Sequence, residues 1–410
     1  MDPEKYVILV GDGMGDYPVA ELGGRTPLEA AHTPHLDRLA GCGLSGLVQT
    51  IPEGMEAGSD IANMSLLGYD PARYHTGRAP LEAASMGVQL AADDIALRCN
   101  LVTIEADADQ VPRMADYSAG HISTEEAHRL IASLQEAVRD LPLSLYPGVS
   151  YRHLLVWHGG RDRLGTTPPH DISGQPAAPH REAYQRHPVL QAFIEAAAKI
   201  LAAHPVNRDR IEAGRRPASA VWLWGEGRAP AMPTLDERFG LRGAMISAVD
   251  LLKGLGVYAG LTPVAVPGAT GYLDTNYRGK VDAALSALVQ GNFVYLHVEA
   301  PDEAGHEGSL EKKVSAIEAF DREVVGPILA ELNAFSAVRV LVAADHFTPV
   351  SVRTHTRDPS LFVMADGPFS DSAEATGNGF SERSARLGGR YFASGVELFT
   401  DFIQRPRAAA

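Results

Sequence analysis

The sequence has few cysteines, no strongly basic segment and no long apolar run, and each absence excludes a class of protein. Only two cysteines occur, too few for a disulfide scaffold or a cysteine-rich zinc site, so a reducing compartment is expected. Lysine and arginine total 36 against 51 acidic residues, a net charge of −15, and no Lys/Arg run offers nucleic acid a phosphate-tracking surface. No segment approaches the ~18 uninterrupted apolar residues that span a bilayer, and no signal peptide pattern opens the chain. We therefore expect a cytoplasmic protein that binds neither nucleic acid nor membrane.

Motifs for nucleotide binding and for serine hydrolases are also missing. The glycines of residues 11–15 do not open a helix as in dinucleotide-binding proteins, because Asp16-Tyr17-Pro18 follows them. No Walker A pattern occurs, and Ile61 stands where a Gly-x-Ser-x-Gly elbow around Ser59 needs its second glycine. We therefore expect no nucleotide cofactor.

What the sequence does contain is a set of short apolar runs, each closed by Gly, Pro or Asp. Runs of this length, rich in Val and Leu, are typical of strands buried on both faces of a parallel sheet. They span residues 6–10, 293–298, 338–344 and 361–365. Helical patterns that fit crossovers between them span residues 34–40, 281–289, 310–332 and 395–403. The pattern predicts an α/β fold with a mostly parallel sheet sandwiched by helices.

The middle of the chain has a different character. It contains Pro/Gly/His-rich loops at residues 166–179, a long Ala-rich helical pattern at 188–204 and an apolar Trp222-Leu223-Trp224. Strands with chemistry at their ends lie on both sides of this region, so we interpret it as a second α/β domain inserted into the first. The length of 410 residues agrees with two or three domains.

Acidic residues and histidines follow three of the four predicted strands. The six that matter are Asp12, Asp302, His306, Asp345, His346 and His355. Ligands of open α/β sheets bind outside the carboxyl ends of the strands, so these side chains are expected to converge on one crevice. Each alone has a structural explanation as a turn former, a helix cap or a hydrogen-bonded loop residue. Together, three carboxylates and three imidazoles suit Mn²⁺, Zn²⁺ or Mg²⁺ and suffice for a two-metal phosphoryl-transfer site.

Ser59 offers a nucleophile at the start of a helical pattern that ends at Gly68. The alternative interpretation is that Ser59 merely caps this helix. A helix N-terminus also tolerates an anionic phosphoserine, and a metal ion can lower the pKa of the hydroxyl enough for it to attack.

Several segments resemble the archaeal type of cofactor-independent phosphoglycerate mutases, a family of the alkaline phosphatase superfamily. They include Gly11-Asp12-Gly13-Met14-Gly15-Asp16, Gly58-Ser59-Asp60-Ile61-Ala62-Asn63-Met64-Ser65, Pro301-Asp302-Glu303-Ala304-Gly305-His306 and Ala344-Asp345-His346, and the likeness extends through most of the chain. The resemblance implies an alkaline-phosphatase-like, metal-binding domain at residues 1–74 and 236–410, with an inserted substrate-binding domain at 75–235. It also implies interconversion of 3-phosphoglycerate and 2-phosphoglycerate in glycolysis and gluconeogenesis, without a bisphosphoglycerate cofactor.

The resemblance also implies roles for individual residues. One divalent metal ion is expected on Asp302, His306 and His355. A second is expected on Asp12, Ser59, Asp345 and His346, with Ser59 receiving the phosphoryl group while the glycerate stays bound and reorients. Substrate contacts are expected from His121, Arg152, His153, Arg210 and Lys253. Mn²⁺ is the expected metal, and Mg²⁺, Zn²⁺ and Co²⁺ fit the same ligands.

Two positions depart from the family pattern: Ala57, where proline is expected, and Ser219, where asparagine is expected. Two alternative functions stay open. A metal-dependent phosphatase or phosphotransferase acting on another small phosphate ester would present the same centre, whereas a sulfatase is disfavoured because the sequence after Ser59 lacks the Cys/Ser-x-Pro-x-Arg signature. A non-catalytic metal-binding protein would be expected to lack a ligand or the nucleophile, and all seven positions are present. The sequence specifies no oligomeric state.

Overall fold

The computed structural model describes residues 4–160, 163–369 and 379–406. The chain divides into two compact units. Unit 1 comprises Met1–His75 and Ala231–Ala410, and unit 2 comprises Thr76–Pro230. The domain borders placed at 74/75 and 235/236 from the sequence lie a few residues from these limits, and the binding roles assigned to the two domains stay predictions.

The described residues contain thirteen strands and seventeen α-helices. The strands are β1 (Lys5–Gly11), β2 (Leu44–Val48), β3 (Ile95–Ala106), β4 (Pro112–Asp116), β5 (Leu143–Tyr146), β6 (Arg152–Trp157), β7 (Ala220–Gly227), β8 (Gly243–Ile246), β9 (Thr262–Val264), β10 (Phe293–Val298), β11 (Val338–Ala343), β12 (Ser360–Asp366) and β13 (Arg390–Phe392). The helices are α1 (Pro27–Ala30), α2 (Pro34–Cys42), α3 (Ser59–Leu66), α4 (Pro71–Tyr74), α5 (Arg78–Ser85), α6 (Thr124–Ala137), α7 (Ala178–Gln185), α8 (Pro188–Ala203), α9 (Pro205–Glu212), α10 (Leu235–Phe239), α11 (Asp250–Tyr258), α12 (Tyr277–Gln290), α13 (Ala300–Glu307), α14 (Leu310–Phe320), α15 (Gly326–Leu332), α16 (Glu382–Gly388) and α17 (Gly395–Gln404).

Unit 1 is built on an eight-stranded sheet in the order β13-β2-β12-β11-β1-β10-β8-β9. The strands β11, β1, β10, β8 and β9 run parallel to one another. Every residue of β1, β10 and β11 is buried, as apolar runs without alternation lead one to expect. The predicted α/β fold with a mostly parallel sheet is confirmed.

Two elements of unit 1 differ in detail from the sequence expectation. The run at 361–365 forms β12, which is antiparallel to both of its neighbours, β11 and β2. Burial on both faces does not depend on strand direction, so the run predicts the strand and leaves its direction open. The helical pattern at 310–332 is interrupted by a π-helical turn, Asp321–Val325, whose Asp321 carboxylate accepts the N–H groups of His35 at 3.2 Å and Leu36 at 2.7 Å.

Helices α12, α14 and α15 bury apolar side chains against the parallel strands. Leu288, Phe320 and Ile328 belong to one cluster with Val7 and Val294 of the sheet, and none of them is exposed. Each such side chain contributes about 1.5–3 kcal/mol to stability relative to an exposed one. This cluster therefore fixes the strands whose carboxyl ends carry the candidate site.

Unit 2 contains a five-stranded antiparallel sheet in the order β4-β3-β6-β5, with β7 paired to β3. Helices α6 and α8 pack on it, and α8 corresponds to the helical pattern expected at 188–204. The long strand β3 has no counterpart in the sequence analysis. Its buried apolar run is broken by Arg98 and Asn100, which are themselves buried.

No single described helix is long and apolar enough to cross a membrane. The pair α8 and α9 passes that test only together, with a bend of 51° between them, and only by length and composition. The apolar residues Leu190, Phe193, Ala197 and Leu201 of α8 are buried in the core of unit 2.

Candidate active site

Three neighbouring strands of unit 1 place acidic residues at one edge of the sheet. β11, β1 and β10 are adjacent and parallel, so their carboxyl ends meet at the same edge. Asp12 follows β1 directly, Asp345 comes shortly after β11, and α13, which follows β10, carries Asp302. The Gly13 N–H donates to Asp345 Oδ1 at 3.1 Å, across 332 positions of sequence. The fold therefore brings together segments from opposite ends of the chain.

Gly13 is required where it stands. Its φ of +58° lies in the left-handed region that side chains disfavour. A Cβ atom at this position would also lie 2.6 Å from Asp302 Oδ1 and 2.5 Å from Thr348 Oγ1. The glycine after Asp12 thus lets the first loop approach the other two site segments.

Asp302, His306 and His355 form a first group of candidate ligand atoms, and atoms of Asp302 and His355 also lie within 4.8 Å of one from His346. On α13, Asp302 Oδ2 lies 3.2 Å from His306 Nε2. His355 Nε2 lies 3.4 Å from Asp302 Oδ1 and 3.0 Å from His306 Nε2. The other ring nitrogen of His306 faces the carbonyl oxygen of Arg353 at 3.0 Å, and that of His355 faces the carbonyl oxygen of Ala57 at 3.3 Å. Backbone acceptors thus turn each Nε2 toward the carboxylate, an arrangement typical of metal-bound histidines.

Asp12, Asp345 and His346 form a second group, whose ligand atoms all lie within 4.8 Å of one another. His346 Nε2 is 3.3 Å from Asp12 Oδ1 and 3.5 Å from Asp345 Oδ2. The two groups adjoin, because the ring centroids of His346 and His355 are 4.1 Å apart. The six acidic and histidine side chains expected from the sequence therefore lie together, while their role as metal ligands stays a prediction.

The charge around Asp12 fits bound cations. Both carboxylate oxygens of Asp12 are buried and make no hydrogen bond to any residue that the structure describes, although His297 Nε2 lies 3.0 Å from one of them. Burial, followed by the charges of Asp345, Asp302 and Glu299, raises the pKa of Asp12 well above its usual range. A buried carboxylate is stable in its ionised form when it is paired or coordinates a metal. The mixed oxygen and imidazole donors suit a divalent ion such as Mn²⁺, Mg²⁺, Zn²⁺ or Co²⁺.

The first group is balanced by its own histidines. Burial opposes the ionisation of Asp302, but hydrogen bonds from His306 and His355 outweigh it and hold the pKa of Asp302 well below its usual range. The hydrogen bond to Asp302 raises the pKa of His306 to about 9. A cation competes with these protons for the same nitrogen atoms, so metal binding at this group is expected to weaken as the pH falls.

Ser59 is the first residue of α3, and its hydroxyl is not used as a cap. Gly58 occupies the N-cap position, and no side chain caps the helix. Ser59 Oγ instead lies 3.1 Å from His346 Nε2, beside the second ligand group. The rest of α3 is buried, whereas Ser59 is half-buried. The helix thus presents an accessible hydroxyl at its N-terminus, where an anionic phosphoserine is tolerated.

Sequence reasoning missed three polar residues around the site: Asn63, His297 and Thr348. His297 is fully buried in β10, and this burial lowers its pKa to about 4. Thr348 donates to Asp302 Oδ1, and its Oγ1 lies 3.3 Å from His346 Nδ1. A histidine inside an apolar run is a signal for His297, whereas nothing in the sequence pattern singles out Thr348.

The residues expected to contact substrate lie in both units. Unit 1 carries Lys253, whose Nζ is 3.1 Å from Asp250 Oδ1. Unit 2 carries the other four, His121, Arg152, His153 and Arg210. His121 and Arg152 are exposed, and the Arg152 guanidinium lies 5.5 Å from the ring centroid of Tyr151.

His153 and Arg210 are buried. His153 Nδ1 accepts the Gly148 N–H at 3.0 Å, and burial lowers the pKa of His153 to about 3. Arg210 donates to Glu126 Oε2 at 2.6 Å and to the carbonyl oxygens of Ala119 at 2.6 Å and Arg216 at 2.8 Å. The substrate roles of all five residues stay predictions.

Comparison of the sequence with known proteins finds one family over much of the chain. A family model described as 2,3-bisphosphoglycerate-independent phosphoglycerate mutase matches residues 40–207. A protein of that name from Methanosarcina acetivorans is 53% identical over 390 residues, which are 94% of this chain and 96% of the relative. One from Geobacter sulfurreducens, named as a probable enzyme of the same kind, is 50% identical over 401 residues, 98% of this chain and 100% of the relative.

Solved structures give the same result for the fold. A protein from Pyrococcus horikoshii is similar with a TM-score of 0.82 and 29% identity, covering 99% of each chain. A cofactor-independent phosphoglycerate mutase from Thermoplasma acidophilum is similar with a TM-score of 0.63 and 28% identity, covering 98% of this chain and 99% of the other. The similarity therefore extends over both units.

Proposed function

Because the chain belongs to the family of 2,3-bisphosphoglycerate-independent phosphoglycerate mutases and is an enzyme of that class, we propose that Ser59 carries the phosphoryl group during interconversion of 3-phosphoglycerate and 2-phosphoglycerate. Ser59 Oγ gives up its proton and forms a bond to phosphorus as the bond between phosphorus and the glycerate oxygen breaks, and that oxygen takes up a proton to become a hydroxyl. The glycerate stays bound and turns, and its other hydroxyl takes the phosphoryl group back. The reaction needs neither bisphosphoglycerate nor a nucleotide, and we place it in glycolysis and gluconeogenesis in the cytoplasm.

Two divalent cations, with Mn²⁺ as the first choice, belong to the proposed site. One would be held by Asp302, His306 and His355. The other would be held by Asp12, Asp345 and His346, together with Ser59. When bound, these cations lower the pKa of the serine hydroxyl and neutralise charge on the transferring phosphoryl group. The buried cluster of Asp12, Asp345 and His346 supports this assignment, as does the adjoining cluster of Asp302, His306 and His355.

The substrate carries a phosphate and a carboxylate, whereas the protein has a net charge of −15. Positive charge must therefore be concentrated where the substrate binds. The exposed guanidinium of Arg152 suits the carboxylate, because an arginine can bind both of its oxygens at once. His121 and Lys253 are further candidates. A mutase has to retain the glycerate while the phosphoryl group is on the enzyme, and such fixed contacts would do this.

One observation carries the proposal. The Ser59 hydroxyl lies 3.1 Å from His346 Nε2, at the N-terminus of a buried helix that does not use it as a cap. A hydroxyl with only a capping role would instead bond to a backbone N–H of its own helix.

The test is an assay of the purified enzyme with Mn²⁺ and 3-phosphoglycerate, in which 2-phosphoglycerate and inorganic phosphate are both measured. Ser59→Ala is expected to lower kcat more than about 1,000-fold, because the residual rate without the nucleophile comes from binding alone. Ser65→Ala is the matched control, since Ser65 lies on the same helix and its hydroxyl accepts the Gly395 N–H at 3.1 Å. After quenching with ³²P-labelled substrate, peptide mapping should find the label on Ser59.

Full mutase activity in Ser59→Ala, with unchanged metal content, would show that Ser59 is not the nucleophile. Release of inorganic phosphate without 2-phosphoglycerate would instead support the alternative of a metal-dependent phosphatase acting on small phosphate esters.

A further inference from the structure

Asn63 lies one helical turn after Ser59 on α3 and is fully buried. Its Nδ2 donates to the carbonyl oxygen of Ser59 at 2.8 Å and to Asp345 Oδ2 at 2.7 Å. Its Oδ1 accepts the hydroxyl of Tyr295 at 2.5 Å. One amide therefore contacts the residue of the proposed nucleophile, a proposed metal ligand and a buried tyrosine of β10.

Only one orientation of the Asn63 amide satisfies these three contacts. The carbonyl oxygen of Ser59 and the carboxylate of Asp345 are both acceptors, so the NH₂ group must face them. The amide oxygen then faces Tyr295, whose hydroxyl must donate. Tyr295 is fully buried and therefore keeps its phenolic proton at neutral pH. The two acceptors thus determine which way the amide points, and the tyrosine hydroxyl, as a donor to the amide oxygen, holds it in that orientation.

The Asp345 carboxylate accepts hydrogen bonds from two backbone N–H groups and from the Asn63 side chain. Its Oδ1 accepts two backbone N–H groups, from Gly13 at 3.1 Å and from His346 at 2.9 Å. Its Oδ2 accepts the side-chain amide of Asn63. Backbone donors are fixed by the loops that carry them, whereas a side-chain amide can rotate unless a further group holds it. Tyr295 is that group.

We propose that Tyr295 and Asn63 are positioning residues. Tyr295 holds the Asn63 amide in its orientation, and the amide holds Asp345 and the Ser59 main chain in the geometry that metal binding and phosphoryl transfer need. This inference deepens the proposed function and rests on it. Partners that orient a metal ligand typically change metal affinity or activity by about 10–100-fold.

The experiment compares two tyrosine-to-phenylalanine variants of the full chain. Tyr295→Phe removes the hydroxyl that faces Asn63. Tyr69→Phe is the matched control, because Tyr69 is also fully buried and its hydroxyl donates to the carbonyl oxygen of Pro233 at 2.8 Å. Chelator-stripped protein is titrated with Mn²⁺ by calorimetry, and the melting temperature, kcat and KM for 3-phosphoglycerate are measured beside it.

Tyr295→Phe is expected to raise the Mn²⁺ dissociation constant about tenfold and to lower kcat about tenfold, with KM changed by less than about twofold. Tyr69→Phe should lower the melting temperature by a similar amount and leave the dissociation constant and kcat within about twofold. A purely structural role of Tyr295 would make the two variants behave alike, and that result would overturn the proposal.

Asn63→Ala provides an independent arm, since it removes both amide donors. It should weaken Mn²⁺ binding at least as much as Tyr295→Phe, and it carries the test alone if Tyr295→Phe does not fold. The double variant should be no worse than Asn63→Ala, because Tyr295 acts through Asn63. Additive losses of Mn²⁺ affinity in the double variant, or an unchanged Mn²⁺ affinity in Asn63→Ala, would refute the proposal that Tyr295 acts through Asn63. Mn²⁺ titration needs no turnover, so a wild-type enzyme that binds the metal without interconverting phosphoglycerates would contradict the proposed function alone.

Discussion

Lys313 on α14 joins two loops of the candidate site, and its replacement by methionine is expected to destabilise unit 1 strongly. Lys313 and Asp16 are both fully buried, with Lys313 Nζ 2.8 Å from Asp16 Oδ2. The same Nζ donates to the carbonyl oxygens of Thr348 at 2.7 Å and Gly15 at 3.2 Å. Asp16 and Gly15 belong to the loop that starts with Asp12, and Thr348 belongs to the loop after β11, which also carries His346. One ammonium group therefore ties both loops together.

The expected magnitude follows from burial and distance. Unit charges 2.8 Å apart attract by about 6 kcal/mol at an effective dielectric constant of 20. Desolvation offsets much of this attraction, and burial accordingly lowers the pKa of Lys313. In Lys313→Met the Asp16 carboxylate keeps the N–H groups of Tyr17 at 2.7 Å and Val350 at 3.1 Å but loses its counter-charge. Removing one partner of a buried ion pair costs about 3–5 kcal/mol.

Thermal unfolding of the metal-free protein measures the effect. At about 2–4 °C per kcal/mol for a domain of this size, the melting temperature of unit 1 should fall by about 6–20 °C. Lys312→Met is the matched control, because the neighbouring lysine is 45% exposed and a surface ion pair such as the one it forms with Glu307 contributes little to stability. Adding Asp16→Asn to Lys313→Met should recover part of the loss, since it removes the unpaired charge.

A melting temperature of Lys313→Met within about 2 °C of the wild type would refute this reasoning. So would a double variant that is less stable than Lys313→Met, because the cost would then not come from an uncompensated carboxylate.

Four further substitutions test the proposed site and unit 2. Asp302→Asn should lose one of two bound metal ions and nearly all turnover, because a centre with one metal cannot stabilise both the attacking and the leaving oxygen. Metal analysis together with kinetics checks this, and a fully active variant with less bound metal would contradict it. Burial lowers the pKa of His153 from 6.5 to about 3. Below pH 6.5 the unfolded state therefore takes up a proton on this residue, whereas the folded state does not. The free energy of unfolding then decreases by about 1.4 kcal/mol per pH unit as the pH falls. Urea unfolding at pH 7 and pH 5 should therefore show a steeper loss in the wild type than in His153→Gln, and equal slopes would refute the assignment. Arg210→Met should lower the melting temperature, because it breaks the ion pair between the buried Arg210 and Glu126. Arg152→Met should instead raise the KM for 3-phosphoglycerate at an unchanged melting temperature, because Arg152 is exposed. The reverse pattern of these two results would contradict the assignment of a structural role to Arg210 and a binding role to Arg152.

The parallel strands of unit 1 are predictable from the sequence because strands buried on both faces are written as continuous apolar runs. The run at 293–298 and β10 coincide, since a strand covered on both faces is apolar at nearly every position and its ends are therefore easy to see. The direction of β12 is not encoded in its apolar run, because burial on both faces does not depend on strand direction. In unit 2 the continuous apolar run is missing from β3, because the strand contains a buried arginine. Arg98 lies over the ring of Trp224, 4.0 Å from its centroid, and pairs with Glu82 at 3.0 Å. A buried strand that carries a paired charge does not look buried in sequence.

The candidate site also has a part that is predictable from the sequence and a part that is not. Asp12, Asp302 and Asp345 follow runs that predict buried strands of a parallel sheet, so their convergence can be expected from the rule that ligands bind at the carboxyl edge. The contact between Ser59 and His346 depends on where α3 packs, and no spacing in the chain encodes that position. Family resemblance supplies it only because related chains fold alike.

The Tyr295 and Asn63 pair shows why such contacts are the hardest to predict. Tyr295 stands in an apolar run, where its ring alone explains its presence, and Asn63 stands in a buried helix where alanine would satisfy the helix better. Each residue by itself suggests packing. Their hydrogen bonds acquire meaning only when α3, β10 and the loop after β11 meet, because the orientation of one amide depends on acceptors from two of these segments and a donor from the third. Contacts that need three separate segments therefore carry the least sequence signal, and they are where a structure adds most to the chemistry of the site.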